Sequence, residues 1–293
     1  MQDNRLPESE FILNPDGSVY HLHLREEHIA NTVLIVGDQG RVRQISKHFE
    51  NIECRIQNRE FVTHTGSYHG KRMTALSTGI GTDNIDIVIN ELDAAINIDA
   101  KTRTPKSTRR KLRIVRIGTS GALQPDIPVG TAVISEFGLG FDGLIYYYHY
   151  TMDTIEELLT NKVNDHLGWN PNLSRPYITK GSSSLIELLE KGMVKGITAT
   201  ATGFYGPQGR RLSLTPRDPG INDRLQSFSH GLYRITNFEM ETSALYGLGN
   251  LLGHDCCTCC MIIANRVRKE FGGDHTKHID GLIETVLDRL ANK

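Results

Sequence analysis

Short apolar runs closed by glycine alternate along this chain with stretches whose apolar residues recur at helical spacing. That alternation limits the possible folds more than any other feature. Thr32-Val33-Leu34-Ile35-Val36, closed by Gly37, has the pattern of a buried strand, with a helix expected over 40–49. Phe61–Thr65 and Arg72–Ser77 read as strands on either side of a turn at 66–70. Beyond Thr82 or Asp83, either able to cap a helix, Ile85, Ile89, Leu92 and Ile96 share one helical face. Further strands are expected at Leu112–Ile117, Ala132–Ser135, Ile197–Thr200, Leu232–Thr236 and Cys257–Ala264. Helices are expected from Glu241 to Leu252 and from His275 to Leu290. In the last helix Ile279, Leu282, Ile283, Val286, Leu287 and Leu290 form one apolar face. Strands and helices in alternation predict an α/β fold around one mixed central sheet. With no linker or repeat, the 293 residues form a single domain.

Composition excludes several function classes. With 33 basic and 34 acidic residues the net charge is −1, against a broad nucleic-acid-binding surface. No apolar run approaches the ~20 residues needed to span a bilayer, and the polar start Met1–Glu8 does not read as a signal peptide. The five cysteines crowd into Cys256, Cys257, Cys259 and Cys260, with Cys54 apart. They match neither a disulfide framework nor paired metal knuckles, and read as buried thiols in a reducing cytoplasm. No His-Glu-x-x-His occurs, so no metal site is expected, and no Gly-x-Ser-x-Gly elbow occurs, so no hydrolase triad is read. The run 101–111 holds six positive charges and no negative one; it reads as a solvated surface loop, with a phosphate-rich partner as the sharper alternative.

Four constellations carry chemistry, each with a structural alternative. Gly37-Asp38-Gln39-Gly40-Arg41 lies between a strand and a helix, where backbone N–H groups and an arginine can hold an anion; it can also be a tight turn. Arg116 interrupts an apolar strand just before Gly118-Thr119-Ser120-Gly121, so it must meet an anion or a buried carboxylate. Glu239-Met240-Glu241 joins a strand to a helix; its carboxylates suit vicinal sugar hydroxyls or the helix dipole. Thr202–Arg211 is a turn-rich loop in which Gln208 offers donor and acceptor in one plane, Arg210 a charge and Phe204 a stacking face; it can also be an ordinary loop.

In chain order, eight segments resemble the nucleoside phosphorylase-I family, in particular its uridine-cleaving members. They are Tyr20-His21-Leu22, Gly37–Val42, Arg59-Glu60-Phe61, Ser77–Gly81, Arg116–Ala122, Phe204–Arg210, Glu239-Met240-Glu241 and Ala264-Asn265-Arg266. The resemblance implies a twisted mixed sheet, partly closed into a barrel and flanked by helices. It implies a pentosyltransferase that phosphorolyses uridine reversibly to uracil and ribose 1-phosphate in pyrimidine salvage. Inorganic phosphate is then a co-substrate, with no cofactor and neither nucleic acid nor membrane as a partner. Gly37, Arg41, Arg59, Arg116 and Thr119 would hold phosphate, Arg59 reaching in from a neighbouring subunit. His21, Met240, Glu241 and Thr119 would hold ribose, His21 again from across a homodimer interface. Such dimers can assemble into a hexamer. Phe204, Gln208, Arg210, Ile263 and Ala264 would surround the base, with Arg266 on a nearby loop. Glu241, Arg116, Gln208 and Arg210 would carry catalysis.

Some positions depart from the family pattern. Purine-cleaving members carry an aspartate after the last core strand, near the place of Asn265, and a neutral amide cannot donate as a carboxylic acid does. A purine or modified-nucleoside phosphorylase or nucleosidase, and a non-catalytic nucleoside-binding protein, are the competing readings. Gln39 replaces a proline, and Gly206-Pro207 reverses the family order. Asn84 replaces a serine that in some relatives helps bind a potassium ion between subunits, which weakens the case for that ion although Glu60 is present. Residues 1–19 read as an N-terminal extension, and 101–111 and 146–169 as insertions.

Overall fold

The structure of the protein is a computed structural model, which describes residues 4–273 and 276–292. The chain runs β1 (Thr32–Val36), α1 (Gln39–Ser46), β2 (Asn51–Asn58), β3 (Phe61–Tyr68), β4 (Lys71–Ser77), α2 (Thr82–Asn97), β5 (Ile98–Asp99), β6 (Thr104–Pro105), β7 (Arg113–Ala122) and β8 (Ala132–Gly140). It continues with α3 (Thr154–Leu167), β9 (Tyr177–Lys180), α4 (Ser183–Leu189), β10 (Val194–Thr200), α5 (Ile221–Ser227), β11 (Ser229–His230), β12 (Tyr233–Glu239), α6 (Thr242–Leu252), β13 (Asp255–Asn265), β14 (Glu270–Phe271) and α7 (Thr276–Ala291).

The expected mixed sheet is present. Its strand order is β11-β12-β10-β8-β13-β7-β1-β4-β3-β2, and β12 also pairs with β7, so β7, β13, β8, β10 and β12 close into a five-stranded barrel. β1 lies parallel to both β4 and β7, β13 lies parallel to β7, and β13 runs antiparallel to β8. Every residue of β1 is buried, as an apolar strand between two neighbours requires. β2, the unpredicted edge strand, alternates exposed and half-buried residues, so its hydrophobic signal is diluted.

The helices cover both faces. α2 buries Ile85, Val88, Ile89, Leu92 and Ile96 on the side of the sheet occupied by α6. α7 buries its six expected residues against Val115, Ile117 and Ile134. The expected start of that helix, His275, lies outside the described residues. The four clustered cysteines are all buried and free, as expected of packed thiols.

Several boundaries differ from the sequence expectations. The strand carrying Arg116 does not stop at Ile117 but runs to Ala122, because parallel pairing with β13 continues through Gly118, Thr119 and Ser120. The strand beginning at Ala132 likewise extends to Gly140 along β10. β3 and β4 reach Tyr68 and Lys71, tightening the turn to His69-Gly70. α2 is preceded by Gly81 and no side chain caps it.

The basic run is a surface loop, as expected, with Arg103 as its one buried residue. Arg103 is only 9% exposed, with its guanidinium turned inward onto the carbonyls of Leu6, Pro7 and Phe11. Lys106 bridges Glu26 at 2.6 Å, Arg109 bridges Asp93 at 2.8 Å and Lys111 bridges Asp255 at 2.9 Å. Through these contacts the loop ties the N-terminal segment to the end of α2, while Lys101, Arg109 and Lys111 stay exposed.

Candidate active site

A cavity of about 1150 Å³ opens beyond the C-terminal ends of β1, β7 and β13, the place where α/β sheets bind ligands. Of the expected site residues, Gly37, Arg41, Arg116 and Thr119 line it from the first two strands and α1. Met240 and Glu241 enter from the β12–α6 junction, Ile263 and Ala264 from β13, and Phe204, Gln208 and Arg210 from the loop after β10. His21 and Arg59 do not line the cavity of their own chain.

Arg116 meets buried carboxylates while it lines the cavity. Its Nη1 stands 3.2 Å from Glu239 and donates to Cys260 Sγ at 3.3 Å, while Nη2 donates to Glu241. Burial opposes its charge, yet Glu241 and Glu239 outweigh that and hold the guanidinium above its ordinary pKa. Gly118 makes room for this fold-back: a Cβ there would clash with Arg116 Nη1. Arg41 has no such partners. Its buried Nε lacks a hydrogen bond, and only a 3.5 Å contact joins Nη1 to the Ile117 carbonyl. Burial first, then the Arg116 charge, push its pKa down. An arginine in that state calls for an anion.

The two carboxylates separate into two roles. Glu239 accepts Thr200 Oγ1 at 2.7 Å and the backbone N–H groups of Glu241 and Thr242 at 3.0 Å, so it complements the start of α6. Glu241 faces the cavity and also accepts the N–H of Gly81 at 2.8 Å. Gly81 has a φ of 102°, open to glycine, which turns that N–H inward. Burial raises the Glu241 carboxyl pKa against the pull of Arg116. Sequence reasoning weighed both carboxylates but took only Glu241 into the site; the adjacent strand hydroxyl, Thr200, carried no signal for Glu239.

In the loop after β10, Phe204 is half exposed, whereas Gln208 is only 3% exposed. The guanidinium carbon of Arg210 sits 3.7 Å from the Phe204 ring centroid, and its Nη1 donates to Gln208 Oε1. Burial and then the nearby Arg266 charge push Arg210 down to about 10. The Gln208 carbonyl accepts from Asn222 of α5 and from Arg266, both at 3.2 Å. Asn222 was not foreseen, since nothing in sequence spacing links α5 to this loop.

Asn265 has no amide group left for a ligand. Its Nδ2 donates to the carbonyls of Gln124 and Ile127, both at 2.9 Å, and its Oδ1 accepts Val267 N at 3.0 Å and Arg268 N at 2.9 Å.

His21 and Arg59 form a separate group. Asn58 donates to the His21 carbonyl at 2.8 Å, the Arg59 guanidinium lies 5.5 Å from the Tyr20 ring centroid, and Gln39 donates to the Arg59 carbonyl at 3.0 Å. Among the described residues no cluster of His, Cys, Asp or Glu could hold a metal ion, and no helix is long and apolar enough to cross a membrane.

Comparison with known proteins gives the family and the fold. The phosphorylase superfamily profile matches residues 31–291. The chain is 32% identical over 267 residues to a uridine phosphorylase of Thermococcus kodakarensis, covering 88% of this chain and 81% of the relative. It is 27% identical over 252 residues to a DeoD-type purine nucleoside phosphorylase of Thermoanaerobacter pseudethanolicus, covering 85% and 89% respectively. A crystal structure of a Trypanosoma brucei nucleoside phosphorylase that shows uridine phosphorylase activity superposes with a TM-score of 0.87 at 26% identity. That match covers 97% of this chain and all of the other.

Proposed function

The chain belongs to the phosphorylase superfamily, and from that premise we propose that it phosphorolyses uridine to uracil and ribose 1-phosphate. The observation that carries the reading is the pairing of residue types in one cavity. Arg41, its buried Nε unbonded, stands beside Arg116, and the planar amide of Gln208 beside Arg210.

In this reading a phosphate oxygen attacks C1′ as the C1′–N1 bond breaks, and the electron pair leaves with the base. Arg41 and Arg116, with the backbone at Gly37 and the hydroxyl of Thr119, hold the phosphate. Gln208 and Arg210 stabilise the uracil anion, which then takes a proton from solvent. Glu241 receives ribose hydroxyls, Met240 packs on the sugar, and Phe204, Ile263 and Ala264 flank the base. The rate gain comes from positioning and from fixed charge aimed at developing charge. Resting Glu241 is tied to Arg116, so a bound phosphate that draws Arg116 away frees the carboxylate for the sugar.

Asn265 supports the pyrimidine choice: its amide is fully bonded to backbone and cannot protonate a purine ring nitrogen. We further assign the enzyme to pyrimidine salvage in the cytoplasm, which suits its buried free thiols. We assign it a homodimeric unit, itself able to build a hexamer, in which His21 and Arg59 serve the partner's cavity. Their position outside their own cavity supports that arrangement.

The test is uracil release from uridine with and without inorganic phosphate, with inosine alongside. Phosphate-dependent release from uridine alone is expected. Release without phosphate would make the protein a hydrolase and overturn the arginine roles. Cleavage of inosine would overturn the Asn265 argument.

A further inference from the structure

Glu91 lies on α2, outside the cavity, and its carboxylate is committed to one short segment. Its two oxygens accept the backbone N–H of His21 at 3.0 Å each, and Oε2 accepts the N–H of Leu22 at 2.8 Å. Oε1 also meets His21 Nδ1 at 2.6 Å. An ionised carboxylate only accepts, so Nδ1 carries the proton and, in the neutral ring, Nε2 becomes the acceptor. The His21 carbonyl is held from the other side by Asn58 at 2.8 Å, and the Tyr20 ring meets the imidazole edge-on at 4.8 Å. The residue is thus fixed at its N–H, its C=O and its ring, while 28% of the side chain remains exposed.

Backbone anchoring alone does not require the short contact to Nδ1. That contact sets which nitrogen faces outward and in which state. We propose that Glu91 is a positioning residue for catalysis: it orients His21 so that Nε2 accepts a hydrogen bond from a ribose hydroxyl. This rests on the reading above, in which His21 serves the partner's cavity and Glu241 faces the vicinal hydroxyls. The hydroxyl then left for His21 is the primary one at C5′. No proton is transferred in this role; the gain is a pre-aligned acceptor.

The test compares kcat/KM for uridine and 5′-deoxyuridine in the native protein and in His21→Ala, Glu91→Ala, Glu91→Gln and the double variant His21→Ala/Glu91→Ala. Melting temperatures are measured in parallel. The native protein is expected to favour uridine by about tenfold, the scale of one hydrogen bond. His21→Ala and Glu91→Ala should each bring the ratio towards one, with no further loss in the double variant, since both remove the same interaction. Glu91→Gln keeps an acceptor for the backbone N–H groups but sets an amide N–H₂ against Nδ1. It should remain folded and still lose about threefold or more of the preference.

A native ratio in both Glu91 variants, with the ratio lost in His21→Ala, would overturn the role of Glu91 and leave the uridine reading intact. A native ratio in His21→Ala would overturn the role as well, since Glu91 acts through that ring. Failure of the native protein to cleave uridine would instead remove the underlying reading.

Discussion

In the 101–111 run Arg103 donates to three backbone carbonyls, and Lys106, Arg109 and Lys111 each face a carboxylate. In the cavity, Arg41 has a buried Nε with no partner, and Arg116 faces carboxylates that also line the cavity. By sequence the first region is the more basic, yet most of its charges are answered within the fold. The second has fewer charges, and one of them, Arg41, keeps a buried Nε without a hydrogen bond. Anion binding follows from an unpaired buried cation, not from charge density along the sequence.

Substitutions can break that contrast, beginning with the largest expected effect. Arg116→Ala leaves Glu239 and Glu241 buried without their cation. Removing one partner of such a group costs about 3–5 kcal/mol of stability, and turnover should fall by about 10²–10³ or more. Denaturant unfolding and steady-state rates measure the two; a stable, active variant would refute the role of Arg116. Glu241→Gln keeps the shape but removes the charge facing the sugar, so a fall of about 10²-fold in kcat/KM is expected with the fold retained. Near-native kcat/KM would dismiss Glu241 from the site.

Arg103→Ala should do the opposite. The loss of hydrogen bonds to Leu6, Pro7 and Phe11 should cost about 2 kcal/mol, read as a lower melting temperature. Its effect on the phosphate KM should be negligible, and a raised KM there would erase the distinction between the two regions. Lys101→Ala, at an exposed position of the same run, should stay within about 0.5 kcal/mol of native stability with unchanged kinetics.

The sequence made the α/β architecture legible because β1 carries the unbroken apolar run Val33–Val36 and α2 and α7 carry clean helical periodicity. Arg116 could be singled out because a charge in an apolar strand has few explanations. The extent of that strand was hidden: Gly118-Thr119-Ser120-Gly121 looks like a loop, and only parallel pairing with β13 makes it sheet. β2 was hidden because half of its residues face outward at a sheet edge. Partner identity was hidden most of all. Glu26, Asp93 and Asp255 answer the basic run from distant parts of the chain, and Asn222 reaches Gln208 from another helix. No local pattern encodes those long-range contacts.

The most direct measurement is the phosphate KM, at saturating uridine, in the native protein, Arg41→Ala and Arg103→Ala. The unpaired arginine of the cavity should reveal itself as a phosphate KM raised about tenfold or more in Arg41→Ala, with the uridine KM and the Arg103→Ala values close to native. An unchanged phosphate KM in Arg41→Ala, or a rise in Arg103→Ala instead, would contradict the assignment of the anion to the cavity.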